Sequence, residues 1–126
     1  MYQLCVQREF EAFHQLVGGD WGAENQRHLH RYRAEVVLEG AQLDGHGYLV
    51  DLVELESQLQ TLVKRYEGQT LNDLPAFRGL NPSLEHFCRI FCRELSAALR
   101  ATNLEAVTLR LWENEIAWAS YRLERT

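Results

Sequence analysis

The sequence has 126 residues, of which 46% are hydrophobic and 25% are charged, and this fits one globular domain over residues 1–126. Its net charge of −5 argues against a broad grip on nucleic acid, because sequence-independent binding needs a surplus of Lys and Arg. No apolar run approaches the roughly 20 residues that a membrane helix requires, and the N-terminus lacks the apolar core of a secretory signal.

Two segments of alternating polarity open the chain. Residues 2–14, with Arg8 as the exception, and residues 28–39 each place apolar side chains and histidines on one face. This period of two predicts two strands with one buried face each. The glycine-rich segment 16–22 predicts a loop, and 39–47 predicts a turn-rich connection. The expected buried faces are Leu4, Val6, Phe10, Ala12 and His14, then His28, His30, Tyr32, Ala34, Val36 and Leu38.

The period then changes to steps of three and four residues. This predicts an amphipathic helix from about Asp51. Segment 67–83 holds both prolines and predicts no element beyond a short turn. Ser83 is then a suitable cap for a second helix, with Glu85 in the first turn. The expected buried stripes are Leu52, Leu55, Leu59, Leu62, Val63 and Tyr66, then Phe87, Cys88, Phe91, Leu95 and Leu99.

The last segment returns to alternation and predicts a hairpin. Val107, Leu109 and Leu111 share one face, and Ala117, Ala119 and Tyr121 continue after a tight connection around Asn114. The order β-β-α-α-β-β predicts an α+β fold, with a four-stranded antiparallel sheet and two helices that cover one face.

The cysteines suggest the compartment. Cys5, Cys88 and Cys92 are odd in number and no secretory signal precedes them, so we expect free thiols and a cytoplasmic protein. Cys88 and Cys92 share an apolar helical stripe, which favours core packing over a metal or redox pair.

Three histidines predict a metal site. His28 and His30 lie two residues apart on a strand and therefore point to the same face. If the first two strands pair in antiparallel fashion, His14 at the end of the first lies beside them. Three imidazoles with an open fourth position are typical of a catalytic zinc site. A solvated pair of histidines that binds nothing is the alternative.

Six short motifs then occur along the chain in a fixed order. They are FEAFHQL (10–16), ExxxHLH (24–30), GYLVDLVELE (47–56), LND (71–73), NPSLEHF (81–87) and LRLWEN (109–114). With this ordered set, the chain resembles the 6-pyruvoyl-tetrahydropterin synthase / 6-carboxy-tetrahydropterin synthase family over almost its whole length.

The resemblance implies a T-fold (tunnelling fold) subunit. Such subunits join sheet edge to sheet edge into a trimeric barrel, so we expect a homo-oligomer, a trimer or a dimer of trimers, with active sites between subunits. It also implies zinc as the cofactor on His14, His28 and His30, and a pterin-anchoring carboxylate at Glu113. We further expect Ser83 at the substrate.

The sequence departs from the family at two catalytic positions. Glu24 stands where the catalytic cysteine would be. A branch of the family with glutamate there is associated with cleaving the side chain of dihydroneopterin to 6-hydroxymethyl-dihydropterin, and a glutamate near a zinc-bound hydroxyl would serve as general base. The Asp-His pair of the family's relay corresponds to Glu67 and Gly68. Glu67 is therefore a second catalytic candidate, with a surface role as its alternative.

These matches predict a zinc-dependent lyase that acts on a reduced pterin, either dihydroneopterin or its triphosphate. Two alternatives stay open: a zinc enzyme for another heterocycle, and a non-catalytic protein that binds a small molecule. His46 and His86 are candidates for the missing relay histidine, although ordinary loop and helix-start roles compete. Arg31 and Arg33 point away from the histidines by parity, which favours a solvated or interface role over contact with a substrate phosphate.

Overall fold

The computed structural model describes residues 1–125 and has the predicted order of strands and helices. The strands are β1 (Tyr2–His14), β2 (His28–Gly40), β3 (Ala106–Trp112) and β4 (Trp118–Glu124), and the helices are α1 (Leu52–Tyr66) and α2 (Leu84–Ala98). The α+β class and the antiparallel four-stranded sheet are therefore confirmed. None of the described helices is long and apolar enough to cross a membrane.

The sheet has the order β1-β2-β3-β4, and every neighbouring pair is antiparallel. In the β1–β2 pair, His14 lies opposite His28 and Ala12 lies opposite His30. The β2–β3 pair begins at Arg33 and Trp112. The first residues of β2 therefore extend beyond the end of β3, and this overhang carries the two histidines of β2.

The core lies between one face of the sheet and the two helices. Helix α1 packs on β1, and α2 packs on β3 and β4. The alternating residues that were expected inside include Phe10 and Ala12 of β1 and every second residue of β2 from Tyr32 to Leu38, all of them buried. Each large side chain that is removed from water contributes about 1.5–3 kcal/mol to folding. His14 continues this buried face and is only 1% exposed.

Both helices begin at side-chain caps. The Asp51 carboxylate accepts a hydrogen bond from the Val53 N–H at 2.9 Å, and the Ser83 hydroxyl accepts one from the His86 N–H at 3.1 Å. The predicted stripes are buried except for Leu52, which is 45% exposed. Its assignment to the core was wrong, because it lies in the first turn of α1, where no described part of the chain covers it.

Segment 67–83 is more regular than its prolines suggested. It contains two short 3-10 helices, Leu71–Asp73 and Pro75–Phe77, and buries Leu71 and Phe77. Hydrogen bonds of 2.8 Å from Gly68 N–H to the Glu11 carbonyl and from Phe13 N–H to the Gln69 carbonyl attach it to β1. Turns of three residues are too short to leave a periodic pattern, so the sequence did not reveal them.

Candidate metal centre and adjoining pocket

Three imidazole rings converge at the end of the β1–β2 pair. Nε2 of His28 lies 3.0 Å from Nε2 of His14 and 3.0 Å from Nε2 of His30. The ring centroids are 4.6–4.8 Å apart. A tetrahedral zinc ion with Zn–N bonds of about 2.0–2.1 Å separates its ligand nitrogens by about 3.3–3.4 Å. The two measured N···N distances are thus about 0.3–0.4 Å shorter than the separation of two ligands of a single zinc ion.

Hydrogen bonds behind the rings decide which nitrogens are free. Nδ1 of His14 donates to the Pro82 carbonyl at 2.9 Å, and Nδ1 of His28 donates to the Gln26 carbonyl at 2.7 Å. A neutral ring that donates through Nδ1 leaves an unprotonated Nε2, which is the form that binds a metal. Lone pairs that face one another at this distance repel unless a cation lies between them, so the residues fit a metal ion.

The site also favours neutral histidines. Burial lowers the pKa of His14, and the imidazoles of His30 and His28 lower it further, against the effect of its bond to Pro82. Burial and the neighbouring His28 likewise lower the pKa of His30. Rings with a pKa below the usual value of about 6.5 are unprotonated at neutral pH and available as ligands. Imidazoles suit zinc and other transition metals better than Mg²⁺ or Ca²⁺.

Glu113 lies beside the same ring nitrogens. It follows β3, and its N–H donates to the Ala117 carbonyl at 3.0 Å, which closes the β3–β4 hairpin. Its Oε1 is 3.3 Å from Nε2 of His30 and 3.9 Å from Nε2 of His14. The side chain is 23% exposed, and burial raises its pKa against the opposing effect of His14. The structure therefore places this carboxylate at the histidine cluster itself.

Glu24 lies in a short 3-10 helix, Gly22–Asn25, just before β2. Its carbonyl accepts a hydrogen bond from the Leu16 N–H at 2.9 Å, which joins the turn to the end of β1. The side chain is exposed. Its charge raises the pKa of both His30 and Glu113, in each case as one of the smaller effects. Glu24 is thus within electrostatic reach of the cluster while its carboxylate remains open to solvent.

The other candidates lie outside the cluster. Glu67 is exposed at the end of α1 and lines a groove of about 510 Å³ with Glu9, Glu11 and Phe13, which have the opposite parity to His14. Gly68 has a φ of +72°, a conformation that glycine adopts easily and that strains other residues. The hydroxyl of Ser83 is engaged as the cap of α2.

The two remaining histidines are not members of the histidine cluster. Nδ1 of His86 donates to the Asn81 carbonyl at 2.7 Å, and His46 is exposed in the connection before α1. Within the described residues, the only group of three or more potential metal ligands that comes together is His14, His28 and His30.

A pocket of about 460 Å³ opens beside His30 and Glu113, where β2 extends beyond β3. Tyr32, Trp112 and Asn114 line it as well, and so do Arg31 and Arg33. Tyr32 was expected only as a core residue, although its place two residues after His30 already put it on the same face. Trp112 gave no sequence signal as a pocket residue, because its neighbours there come from another strand.

Comparison with known proteins agrees with this arrangement. A sequence model of the 6-pyruvoyl tetrahydropterin synthase family matches residues 3–124. The chain belongs to this family. The resemblance that the ordered motifs indicated is therefore confirmed. No curated protein matches the sequence significantly.

Solved structures show the same fold. The 6-pyruvoyl tetrahydropterin synthase of Caenorhabditis elegans has 21% identity and a TM-score of 0.81, with 98% of each chain covered. A Plasmodium vivax 6-pyruvoyltetrahydropterin synthase, in which a glutamate described as a catalytic residue is replaced by alanine, has 13% identity, a TM-score of 0.83 and the same coverage. A guanine-bound dihydroneopterin aldolase from Burkholderia thailendensis has 12% identity and a TM-score of 0.53, over 98% of this chain and 89% of the other. These likenesses confirm the T-fold.

Proposed function

We propose that this member of the 6-pyruvoyl tetrahydropterin synthase family is a zinc-dependent lyase that cleaves the side chain of a reduced pterin, dihydroneopterin or its triphosphate. The observation that carries the proposal is the convergence of three imidazole Nε2 atoms beside the carboxylate of Glu113, with His14 and His28 held in the metal-binding tautomer.

Glu113 is the anchor for the heterocycle in this proposal. A carboxylate accepts two parallel N–H bonds from a planar, guanidine-like edge, which is the pattern that a pterin offers. The pocket of about 460 Å³ beside Glu113 has the volume of a small-molecule site. The half-buried position of Glu113 strengthens such hydrogen bonds, because less water competes for its carboxylate.

Glu24 is the proposed general base. Zinc bound by the three histidines would supply a Lewis acid for the oxygens of the substrate side chain. Glu24 removes the proton from the hydroxyl on the second side-chain carbon. The bond between the first and second carbons then breaks, and its electron pair passes into the pterin ring before a proton returns to the first carbon. The products are 6-hydroxymethyl-dihydropterin and glycolaldehyde, or glycolaldehyde triphosphate from the triphosphate.

The choice of glutamate as base has support from a relative. In the Plasmodium vivax 6-pyruvoyltetrahydropterin synthase, a glutamate is described as a catalytic residue, and variants with alanine or cysteine in its place have been crystallised. The carboxylate of Glu24 is exposed, and a carboxylate within reach of a substrate hydroxyl is a suitable general base.

We also propose that the subunits form a trimer or a dimer of trimers in the cytoplasm. Both β1 and β4 are edge strands of the sheet in a single chain, and pairing β1 of one copy with β4 of the next would remove these edges. Glu67, the second catalytic candidate, would then act on the site of a neighbouring subunit. Three free cysteines suit a reducing compartment.

A second candidate function follows from Gly68. Glycine has no side chain to carry a proton, and a φ of +72° would strain a histidine at this position. This favours a protein that keeps the zinc site but acts on a different heterocycle, or binds one without turning it over.

The test begins with metal analysis of the purified protein and incubation with dihydroneopterin and its triphosphate, with products identified by mass. We expect one zinc per chain and release of 6-hydroxymethyl-dihydropterin. Glu24→Gln should lower kcat by about 10²–10⁴-fold, the usual contribution of a general base, and should leave zinc content unchanged. Glu56→Gln, which changes an exposed glutamate on α1, is the matched control.

Three results would separate the candidates. Turnover that survives Glu24→Gln would remove Glu24 as the base. Intact zinc without any change in either pterin would favour the second candidate. Protein that carries no zinc after expression in zinc-supplemented medium would contradict both.

A further inference from the structure

The carboxylate of Glu113 lies close to two histidine nitrogens of the cluster, and a residue that only anchors a heterocycle does not need these contacts. Its Oε1 lies 3.3 Å from Nε2 of His30 and 3.9 Å from Nε2 of His14. These are the two nitrogens that also face Nε2 of His28 at 3.0 Å. The 3.3 Å separation matches the one that a shared tetrahedral ion imposes on two of its ligands, and the 3.9 Å separation exceeds it by about 0.5 Å.

The backbone holds Glu113 in this position. The β2–β3 pair begins at Arg33 and Trp112, so the residue after Trp112 lies beside the overhanging part of β2 that carries His30. The Glu113 N–H is bonded to the Ala117 carbonyl across the hairpin. Only the side-chain rotamer of Glu113 is therefore free to change, and a carboxylate on two methylene groups has room to turn toward or away from the cluster.

Charge gives a reason for the contact. Three neutral imidazoles leave the double charge of a divalent cation uncompensated in a half-buried site, whereas a carboxylate ligand halves it. Two parallel N–H bonds require both oxygens of the carboxylate to face the heterocycle, whereas ligation turns one oxygen toward the metal and draws charge from the group. Metal ligation and anchoring therefore compete for the orientation and charge of Glu113.

We propose that Glu113 is the fourth metal ligand in the protein without a bound heterocycle, and that it leaves the metal when a planar heterocycle with a guanidine-like edge takes its two oxygens. Metal and heterocycle then weaken each other's binding by the same factor, because coupling between two sites is reciprocal. The class of heterocycle rests on the proposed function, whereas the ligation by Glu113 does not.

The first experiment measures metal binding alone. Zn²⁺ affinity is determined by competition with a chelator, and the visible absorption of the Co²⁺-loaded protein is recorded. Glu113→Gln should raise the Kd for Zn²⁺ at least about tenfold and should change the Co²⁺ absorption bands. Even the loss of a residue that only hydrogen-bonds to a metal ligand weakens metal binding by about this factor. Glu56→Gln, which changes an exposed glutamate on α1 away from this pocket, should change neither. Circular dichroism checks that both variants are folded.

The second experiment adds guanine, which presents the same donor edge as a pterin. Saturating guanine should raise the Kd for Zn²⁺ of the unaltered protein by a factor of about 5–150, and should leave that of Glu113→Gln unchanged. A Zn²⁺ Kd and Co²⁺ spectrum that are the same in Glu113→Gln would overturn the ligation. A Zn²⁺ Kd that guanine leaves unchanged or lowers would overturn the exchange.

These results are independent of catalysis. Failure to cleave either pterin would contradict the proposed lyase but would not alter the Zn²⁺ affinities. Conversely, if the protein cleaves a pterin but Glu113→Gln leaves the Zn²⁺ affinity unchanged, the proposed function stands and the ligation by Glu113 is contradicted.

Discussion

At the scale of single residues, the histidine cluster depends on groups that are not metal ligands. The Pro82 and Gln26 carbonyls accept the Nδ1 protons of His14 and His28, and this turns both Nε2 lone pairs toward the cluster. The sequence shows which residues are histidines but not which ring nitrogen is free. That choice comes from backbone carbonyls, one of which lies 68 positions away from the ring that it holds.

Replacing one of these rings tests the metal site directly. His28→Ala removes the ring whose Nε2 faces both others, so we expect the zinc content of the purified protein to fall from one per chain to a small fraction. Inductively coupled plasma mass spectrometry measures it. His86→Ala, which removes a histidine that bonds only to the Asn81 carbonyl, should keep its zinc. Equal zinc in both variants would contradict the assignment of His28.

The cysteines make a second prediction at this scale. Burial raises the pKa of Cys88 to about 12 and that of Cys92 to about 11, and both side chains are completely buried. At pH 8 the native protein should therefore react with a thiol reagent at Cys5 alone. Burial and the Glu35 carboxylate also raise the pKa of Cys5, so its rate should still increase above pH 9.

Labelling after denaturation in urea gives the control, because all three thiols should then react. Rapid labelling of Cys88 or Cys92 in the native protein, read by peptide mass, would show that the core between α2 and the sheet is open.

At the scale of elements, the start of α2 lies beside the histidine cluster and helps to orient His14. Ser83 caps the helix, and the preceding Pro82 supplies the carbonyl that orients His14. The expected contact of Ser83 with substrate remains a prediction, and its capping role is a separate effect that the same substitution would remove.

Ser83→Ala should lower the free energy of unfolding by about 0.5–2 kcal/mol, the usual cost of losing a side-chain cap. Urea denaturation of the zinc-loaded protein measures this. Ser83→Asp restores a capping oxygen and should recover most of the stability. If Ser83→Asp regains stability but not the KM for pterin, a direct contact with substrate is supported, whereas full recovery of both limits Ser83 to the cap. Unchanged stability in Ser83→Ala would contradict the capping role.

At the scale of the whole molecule, the histidine cluster and Glu113 bring together the two ends of the fold. His14 ends β1, His28 and His30 begin β2, and Glu113 lies in the β3–β4 hairpin. A metal that binds these residues connects the first strands of the sheet to the last hairpin. The unfolded chain does not bring these residues together and therefore lacks the site. Metal binding should therefore stabilise the native state.

Removal of the metal by a chelator should lower Tm. Free zinc at 100 times its Kd contributes about 2.7 kcal/mol to the free energy of unfolding. In a chain of this size, each kcal/mol shifts Tm by about 3–5 °C. Differential scanning calorimetry at one fixed chain concentration measures the shift. His28→Ala should show no difference between zinc and chelator. An identical Tm for the unaltered protein in both conditions would mean that the folded state gains nothing from zinc.

Local patterns in the sequence determined the fold. Period two in 2–14 and 28–39 and steps of three and four in the helices follow from backbone geometry, which acts over a few residues, so the strands and helices were predicted with their order. The ordered motifs also identified the family. The same reasoning failed for Leu52 and for the 3-10 turns of 67–83, since exposure and short turns depend on what lies nearby in space.

Only the tertiary structure decided how the candidate residues meet. It brought Glu113 to His14 and His30, which lie 99 and 83 positions earlier in the sequence, and it left Glu67 in a separate groove beside β1. Register between strands, the β2 overhang and the packing of α2 set these distances, and none of them is encoded in a local pattern. The sequence by itself determined which side chains are available, and the packing of the sheet determined which of them share one site.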